Sequence, residues 1–169
     1  MRTALIVIDV QNDYFAEGAF PLWGAEAALA RIEQAIAAAQ ARQWPVILVQ
    51  HIASAPGPFF NRDTPGVAMH PRILAAAPDA PIVVKTEADS FFATTLASTL
   101  AGYSPDALLI CGMMTHNCVT HTALSPAAST YAVSVLSDAC ATVSDILHRI
   151  ALRALTLRVP VHTVAQAMG

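Results

Sequence analysis

The sequence predicts a three-layer α/β/α domain built on a parallel sheet, and three observations carry that expectation. Six short runs rich in Val and Ile recur along the 169 residues. The runs are continuously apolar rather than alternating with polar residues, as expected of strands buried on both faces. Several are separated by stretches whose apolar residues recur every three, four or seven positions, the spacing of one helix face. Strand and helix in alternation give parallel strands joined by right-handed crossovers, with helices on both sides.

The first run, Ala4 to Ile8, is followed by a helical pattern from Ala25 to Arg42 that carries Leu29, Ile32 and Ile36. The second run is Val46 to Val49 and the third Ile82 to Val84. A helical pattern with Phe92, Leu96 and Leu100 leads to the fourth, Leu108 to Cys111. The fifth, Val133 to Leu136, precedes a helix whose expected inner face is Ile146, Ile150 and Leu157, and Val161 to Val164 closes the series. Two stretches, Asn12 to Trp23 and Ala53 to Arg72, break the rhythm. In sheets of this kind ligands bind outside the carboxyl ends of the strands, where such loops emerge. Tyr14, Phe15, Trp23, Phe59 and Phe60 are therefore expected to wall the pocket, together with His51 and with His121 beside Cys118.

Only 12% of the residues are charged and 55% are hydrophobic, against a usual charged fraction of about 25%. Disorder is excluded by that balance. No internal repeat or low-complexity linker divides the chain, and its size supports one core, so residues 1–169 are expected to form a single domain. A formal charge of −3 supplies no positive field for phosphate backbones or anionic lipid, so no nucleic-acid or membrane partner is expected. The strongly apolar runs reach about ten residues, half the roughly 20 needed to cross a bilayer. No basic leader or cleavage signal precedes Asp9, which predicts a cytoplasmic protein. Three cysteines, Cys111, Cys118 and Cys140, are an odd number in a chain that needs no staples, so a disulfide framework is not expected. High apolarity with few charges predicts a homo-oligomer, a dimer or larger.

Three residues stand out chemically. Eight of the nine basic residues are arginine, and the only lysine, Lys85, directly follows a strand run. A compact ammonium differs there from a guanidinium, because its pKa shifts readily. Asp9 closes the first run in the same manner, and a buried carboxylate needs a cation or donors to offset its desolvation. Cys118 follows a strand ending near Gly112 and a turn containing Thr115 and Asn117, where the next helix is expected to begin. A thiol in a first helical turn feels free backbone N–H groups that favour the thiolate, the setting of a nucleophile. Cys111 and Cys140 lack such a turn and are expected to be small core residues. His51, His70, His116 and His121 show no CxxC or HExxH spacing, so no metal is expected. Signatures for dinucleotides, P-loop phosphates and serine esterases are absent, and no cofactor is expected.

With these residues assembled, the sequence resembles the isochorismatase-like cysteine hydrolases, which include nicotinamidases, carbamoylsarcosine amidohydrolases and ureidoacrylate hydrolases. The resemblance rests on Ala4 through Asp9 to Asp13, on Val84-Lys85 with Ser90-Phe91 and Thr94-Thr95-Leu96, on Gly112 through Cys118-Val119 to Thr122-Ala123, and on Asp138-Ala139. It implies a Rossmann-like six-stranded parallel sheet and an Asp9–Lys85–Cys118 triad. It also implies a cis peptide between Met113 and Met114, and an oxyanion hole formed by the backbone N–H groups of Met114 and Cys118. The implied reaction is hydrolysis of a C–N amide or ureido bond in a small molecule through a thioester. Metal-binding members carry an Asp-x-His pair after the second strand, where this chain has Gln50-His51-Ile52. Pro126 is expected to shorten or kink the helix after Cys118. Two other readings stay open at this point, a vinyl ether hydrolase of the isochorismatase type and a non-catalytic binding protein on the same fold.

Overall fold

The six apolar runs become β1 (Thr3–Ile8), β2 (Val46–His51), β3 (Ile82–Lys85), β4 (Ala107–Met113), β5 (Ala132–Ala141) and β6 (Val161–His162) in a computed structural model that describes residues 1–169. They form one sheet in the order β3-β2-β1-β4-β5-β6. Every neighbouring pair is parallel. The chain starts in the middle of the sheet, works out to one edge, then crosses back to fill the other. β1 and β4 lie in the middle and are buried at every residue, which is why their sequences are apolar without alternation. β3 is an edge strand, and there the expectation of two buried faces fails: Ile82 and Val84 are about half exposed while Val83 and Lys85 point inward.

Helices α1 (Ala25–Ala41), α2 (Pro71–Ala76), α3 (Leu96–Tyr103), α4 (Thr120–Ala123), α5 (Asp145–Leu155) and α6 (Val164–Met168) cover both sides of the sheet. In α1 the predicted stripe of Leu29, Ile32 and Ile36 is wholly buried. The stripe predicted to include Phe92 begins only at Leu96, because a Thr94 hydroxyl accepts the Leu96 N–H and the chain turns before the helix starts. Phe92 is left 63% exposed.

The larger correction concerns α5. Its buried residues are Ala151 and Leu155, whereas Ile146 and Ile150 are 72% and 60% exposed, and Leu157 beyond it 75%. An apolar period identifies a stripe on a helix but does not say which surface covers it. Pro126 acts as expected: α4 ends at Ala123 and a 3₁₀ segment, Pro126–Thr130, follows. No helix is long and apolar enough to cross a membrane.

Two local features shape the carboxyl ends of the strands. Gly112 has φ +121°, and a Cβ there would overlap the Ile8 carbonyl oxygen, so glycine permits the close approach of β4 to β1. Between the pairs Ile110–Val135 and Gly112–Cys140 the β4–β5 register shifts, and β5 carries extra residues that lengthen it.

Candidate active site

β1, β3 and the turn after β4 deliver Asp9, Lys85 and Cys118 to one point at the carboxyl edge of the sheet. Asp9 follows the last residue of β1 with φ +53°, a left-handed backbone that is uncommon outside glycine but that Asp adopts more readily than most residues. Its N–H donates to the Val49 carbonyl at 2.9 Å, and its own carbonyl accepts from Gln11 at 3.0 Å. Lys85 is the inward-facing last residue of β3. Its Nζ lies 2.8 Å from Asp9 Oδ2, and both side chains are fully buried. The same ammonium lies 3.2 Å from Cys118 Sγ, 3.0 Å from His51 Nδ1 and 3.0 Å from the Glu87 carbonyl oxygen. An ammonium has three hydrogens, so four acceptors compete for them and the sulfur is the most distant. Apart from the ion pair, neither Asp9 oxygen has a hydrogen-bond partner.

Cys118 does not open a helix, as expected from sequence, but sits inside one wide π-turn, Thr115–Val119, that continues into α4. The peptide before this turn, Met113–Met114, is cis, as the resemblance implies. The Met114 N–H donates to no acceptor in the chain. Burial raises the Cys118 thiol pKa, and the Asp9 charge raises it further, while Lys85 opposes them. The resting sulfur therefore keeps its proton, which corrects the expectation of a ready thiolate. Burial alone would lower the Lys85 pKa, but Asp9 and Cys118 outweigh it and the net shift is upward, so the ammonium stays charged. This is a thiol within 4.8 Å of a carboxylate and 3.2 Å of a fixed ammonium, the groups that proton transfer from a thiol requires.

Of the expected pocket residues, four gather near this point. His51 touches Lys85, and its ring lies 5.8 Å from that of Phe60. Tyr14 is buried against Phe59 and Phe60, at 5.5 and 4.5 Å between centroids. Its hydroxyl feels the charges of Asp9 and Cys118 after the dominant effect of burial, and all raise its pKa, so it remains a neutral phenol.

The other three are elsewhere. Phe15 stacks on His70 at 4.3 Å and borders a separate cleft of about 590 Å³. Trp23 pairs with Thr142 and faces His148, half exposed. His121 turns back to the Asn117 carbonyl on the exposed side of α4. Loop aromatics signal packing of some kind, but their sequence does not encode its direction.

Sequence reasoning missed the groups that hold these loops. Asp13, nearly buried, accepts the Ala19 N–H at 3.0 Å and the Phe60 N–H at 2.6 Å, and Gly66 packs against its carboxylate so closely that any Cβ would overlap it. Gln11, fully buried, binds both the N–H and the carbonyl of His51 at 2.8 Å each. Thr122 accepts the Ser90 N–H and donates to the Ser90 hydroxyl, linking α4 to the segment after Lys85. Thr115 and His116 bond to His148 and Thr142, which fixes the π-turn against α5 and the residue that follows β5. Polar residues inside otherwise apolar motifs were the available signal, because a buried polar group needs partners.

Asp9, His51 and Cys118 offer ligand atoms within 4.8 Å of one another. A divalent ion bridging them would have to share that space with the Lys85 ammonium, which already touches all three. The donor set does not fit a metal.

The Isochorismatase domain model matches residues 3–166. The chain is 36% identical over 143 residues to the uncharacterized isochorismatase family protein YddQ of Bacillus subtilis, covering 84% of this chain and 79% of that protein. A plant relative from Arabidopsis thaliana that carries the name "probable inactive nicotinamidase" is 28% identical over 166 residues, covering 87% of this chain and 84% of its own. Among solved structures, a cysteine hydrolase from Pseudomonas syringae superposes with a TM-score of 0.87 at 27% identity, covering 99% of this chain and 91% of that one.

Proposed function

The chain belongs to the isochorismatase family, and from that premise we propose that it is a cysteine-dependent hydrolase of small molecules that cleaves a C–N amide or ureido bond through a thioester. The observation that carries this reading is the single ammonium of Lys85, held 2.8 Å from Asp9 and 3.2 Å from Cys118 among buried strand ends. A structural ion pair has no need of a thiol at its free side.

In the proposed reaction Asp9 takes the Cys118 proton as the sulfur attacks the carbonyl carbon. The oxygen that gains charge accepts from the backbone N–H groups of Met114 and Cys118. The protonated Asp9 then gives its proton to the departing nitrogen, which leaves as ammonia or an amine. Water, deprotonated by Asp9, cleaves the thioester, and the thiol recovers its proton. Lys85 holds the carboxylate in place and offsets the negative charge on sulfur and then on oxygen. Neither role calls for a metal or cofactor.

We propose further that the protein works as a homo-oligomer, because Trp23, Val143, Ile146 and Ile150 are exposed apolar residues in adjoining segments. Three unpaired cysteines fit a reducing compartment such as the cytoplasm. The test is a screen of small primary amides and ureido compounds for ammonia release, with the acyl-enzyme sought by intact-mass spectrometry. A mass adduct on wild type that is missing from Cys118→Ala supports the reading. Turnover surviving in Cys118→Ala would overturn it and point to chemistry without the sulfur, such as vinyl ether hydrolysis.

A further inference from the structure

His51 is held more firmly than a pocket wall requires. The buried Gln11 amide clamps its backbone on both sides, and Lys85 Nζ lies 3.0 Å from its Nδ1. An ammonium can only donate, so Nδ1 must present its lone pair, and a neutral ring then carries its hydrogen on Nε2. Burial and the Lys85 charge both lower the His51 pKa, which keeps the ring neutral. Nε2 makes no hydrogen bond within the chain. It is also absent from the buried polar atoms without partners, which are the two Asp9 oxygens alone, so it opens onto accessible space. One ring nitrogen lies within 4.8 Å of Cys118 Sγ. The outcome is an N–H donor of fixed tautomer, on a ring whose other nitrogen meets the ammonium that also meets the nucleophile, with nothing in the protein to receive it.

We propose that His51 is a specificity-determining residue whose Nε2–H binds a second oxygen acceptor of the substrate, close to the carbonyl that Cys118 attacks. This rests on the hydrolase reading given above. It narrows the substrate class to small amides or ureido compounds bearing another carbonyl or carboxylate oxygen near the scissile group, in preference to plain alkyl amides. Sites built to hydrogen-bond a substrate group discriminate strongly against analogues that lack it, because the buried partner is then left unpaired.

The experiment reads the donor directly and does not depend on turnover. In ¹⁵N-labelled protein carrying Cys118→Ala, the His51 ring should show a bare Nδ1 and a protonated Nε2 at neutral pH. Oxamate, which has adjoining oxygen acceptors, should shift the Nε2 resonance, and acetamide should shift it much less. The opposite tautomer, an imidazolium, or no shift with oxamate would overturn the proposal. Two substitutions then separate the ring's two edges. His51→Gln places an amide N–H near the Nε2 position, and His51→Asn keeps an acceptor near Nδ1 but removes the outer donor. His51→Asn should lose about 10²-fold more in kcat/KM on amides with a second acceptor than on plain ones, while His51→Gln recovers much of that difference. Equal losses on both substrate types would overturn the proposal. Failure of wild type to release ammonia from any amide, with the oxamate shift intact, would count against the hydrolase reading and not against the donor.

Discussion

Cys111 on β4 and Cys118 on the turn that follows it are both buried free thiols, yet their surroundings differ in kind. Around Cys111 are β-strands: its sulfur approaches the Ile6 carbonyl at 3.7 Å, and burial, then Cys140 and Asp138, push its pKa up with nothing opposing. Around Cys118 are a carboxylate that can take the proton and an ammonium that can hold the charge left behind. Burial is common to the two. What separates the two thiols is therefore a carboxylate within 4.8 Å and an ammonium within 3.2 Å of one of them, each supplied by a different strand.

The strongest way to break that comparison is to delete each sulfur in turn. Cys118→Ala should lower turnover by at least about 10³-fold, while Cys111→Ala and Cys140→Ala should keep it and lose about 1 kcal/mol of stability in urea unfolding. Comparable losses of turnover from all three would remove the distinction.

Asp9→Asn sharpens it. Turnover should fall by about 10² to 10⁴, the usual contribution of a general acid or base. Alkylation of Cys118 at pH 7 should nevertheless become faster than in wild type, since the substitution removes a charge that raises the thiol pKa and leaves Lys85, which lowers it. Slower alkylation would mean that the carboxylate activates the resting sulfur, contrary to the balance of charges described here.

Lys85→Arg keeps the charge but replaces a compact head with a planar fork that has to fit between Asp9 and Cys118, and a misplacement of about 1 Å is expected to cost on the order of 10²-fold in kcat/KM. A value within about threefold of wild type, under 1 kcal/mol, would return Lys85 to a structural role.

The smallest expected effect is one of pH. The Lys85 pKa is raised on folding, so its stabilising contribution is fully present below the ordinary lysine value and is lost only as pH rises through the raised one. The Lys85 side-chain resonances, followed by NMR between about pH 6 and 9, should show no titration, and a titration inside that window would contradict the raised value.

The two halves of the site differed in how far the sequence disclosed them. Asp9 and Lys85 were legible because each is a charge ending a continuous apolar run, and Cys118 because a Gly-containing strand end and a polar turn precede it. Phe15, Trp23 and His121 were misplaced because residues in long loops carry no period that fixes their direction. The edge exposure of Ile82 and Val84 was invisible because it depends on β3 having a single neighbour, a fact of sheet order rather than of the strand. The outward face of α5 was lost for the same reason, since α5 shows its apolar residues in sequence but not what covers them.

The Asp13 carboxylate ties the loop after β1 to the loop after β2 through the N–H groups of Ala19 and Phe60, and Asn12 reinforces it by donating to the Pro65 carbonyl at 3.0 Å. For anyone transplanting specificity between relatives, residues 12–20 and 57–66 form one cassette. Grafting either loop alone strands a buried carboxylate or a buried amide, whereas grafting both moves the wall and its fastening together.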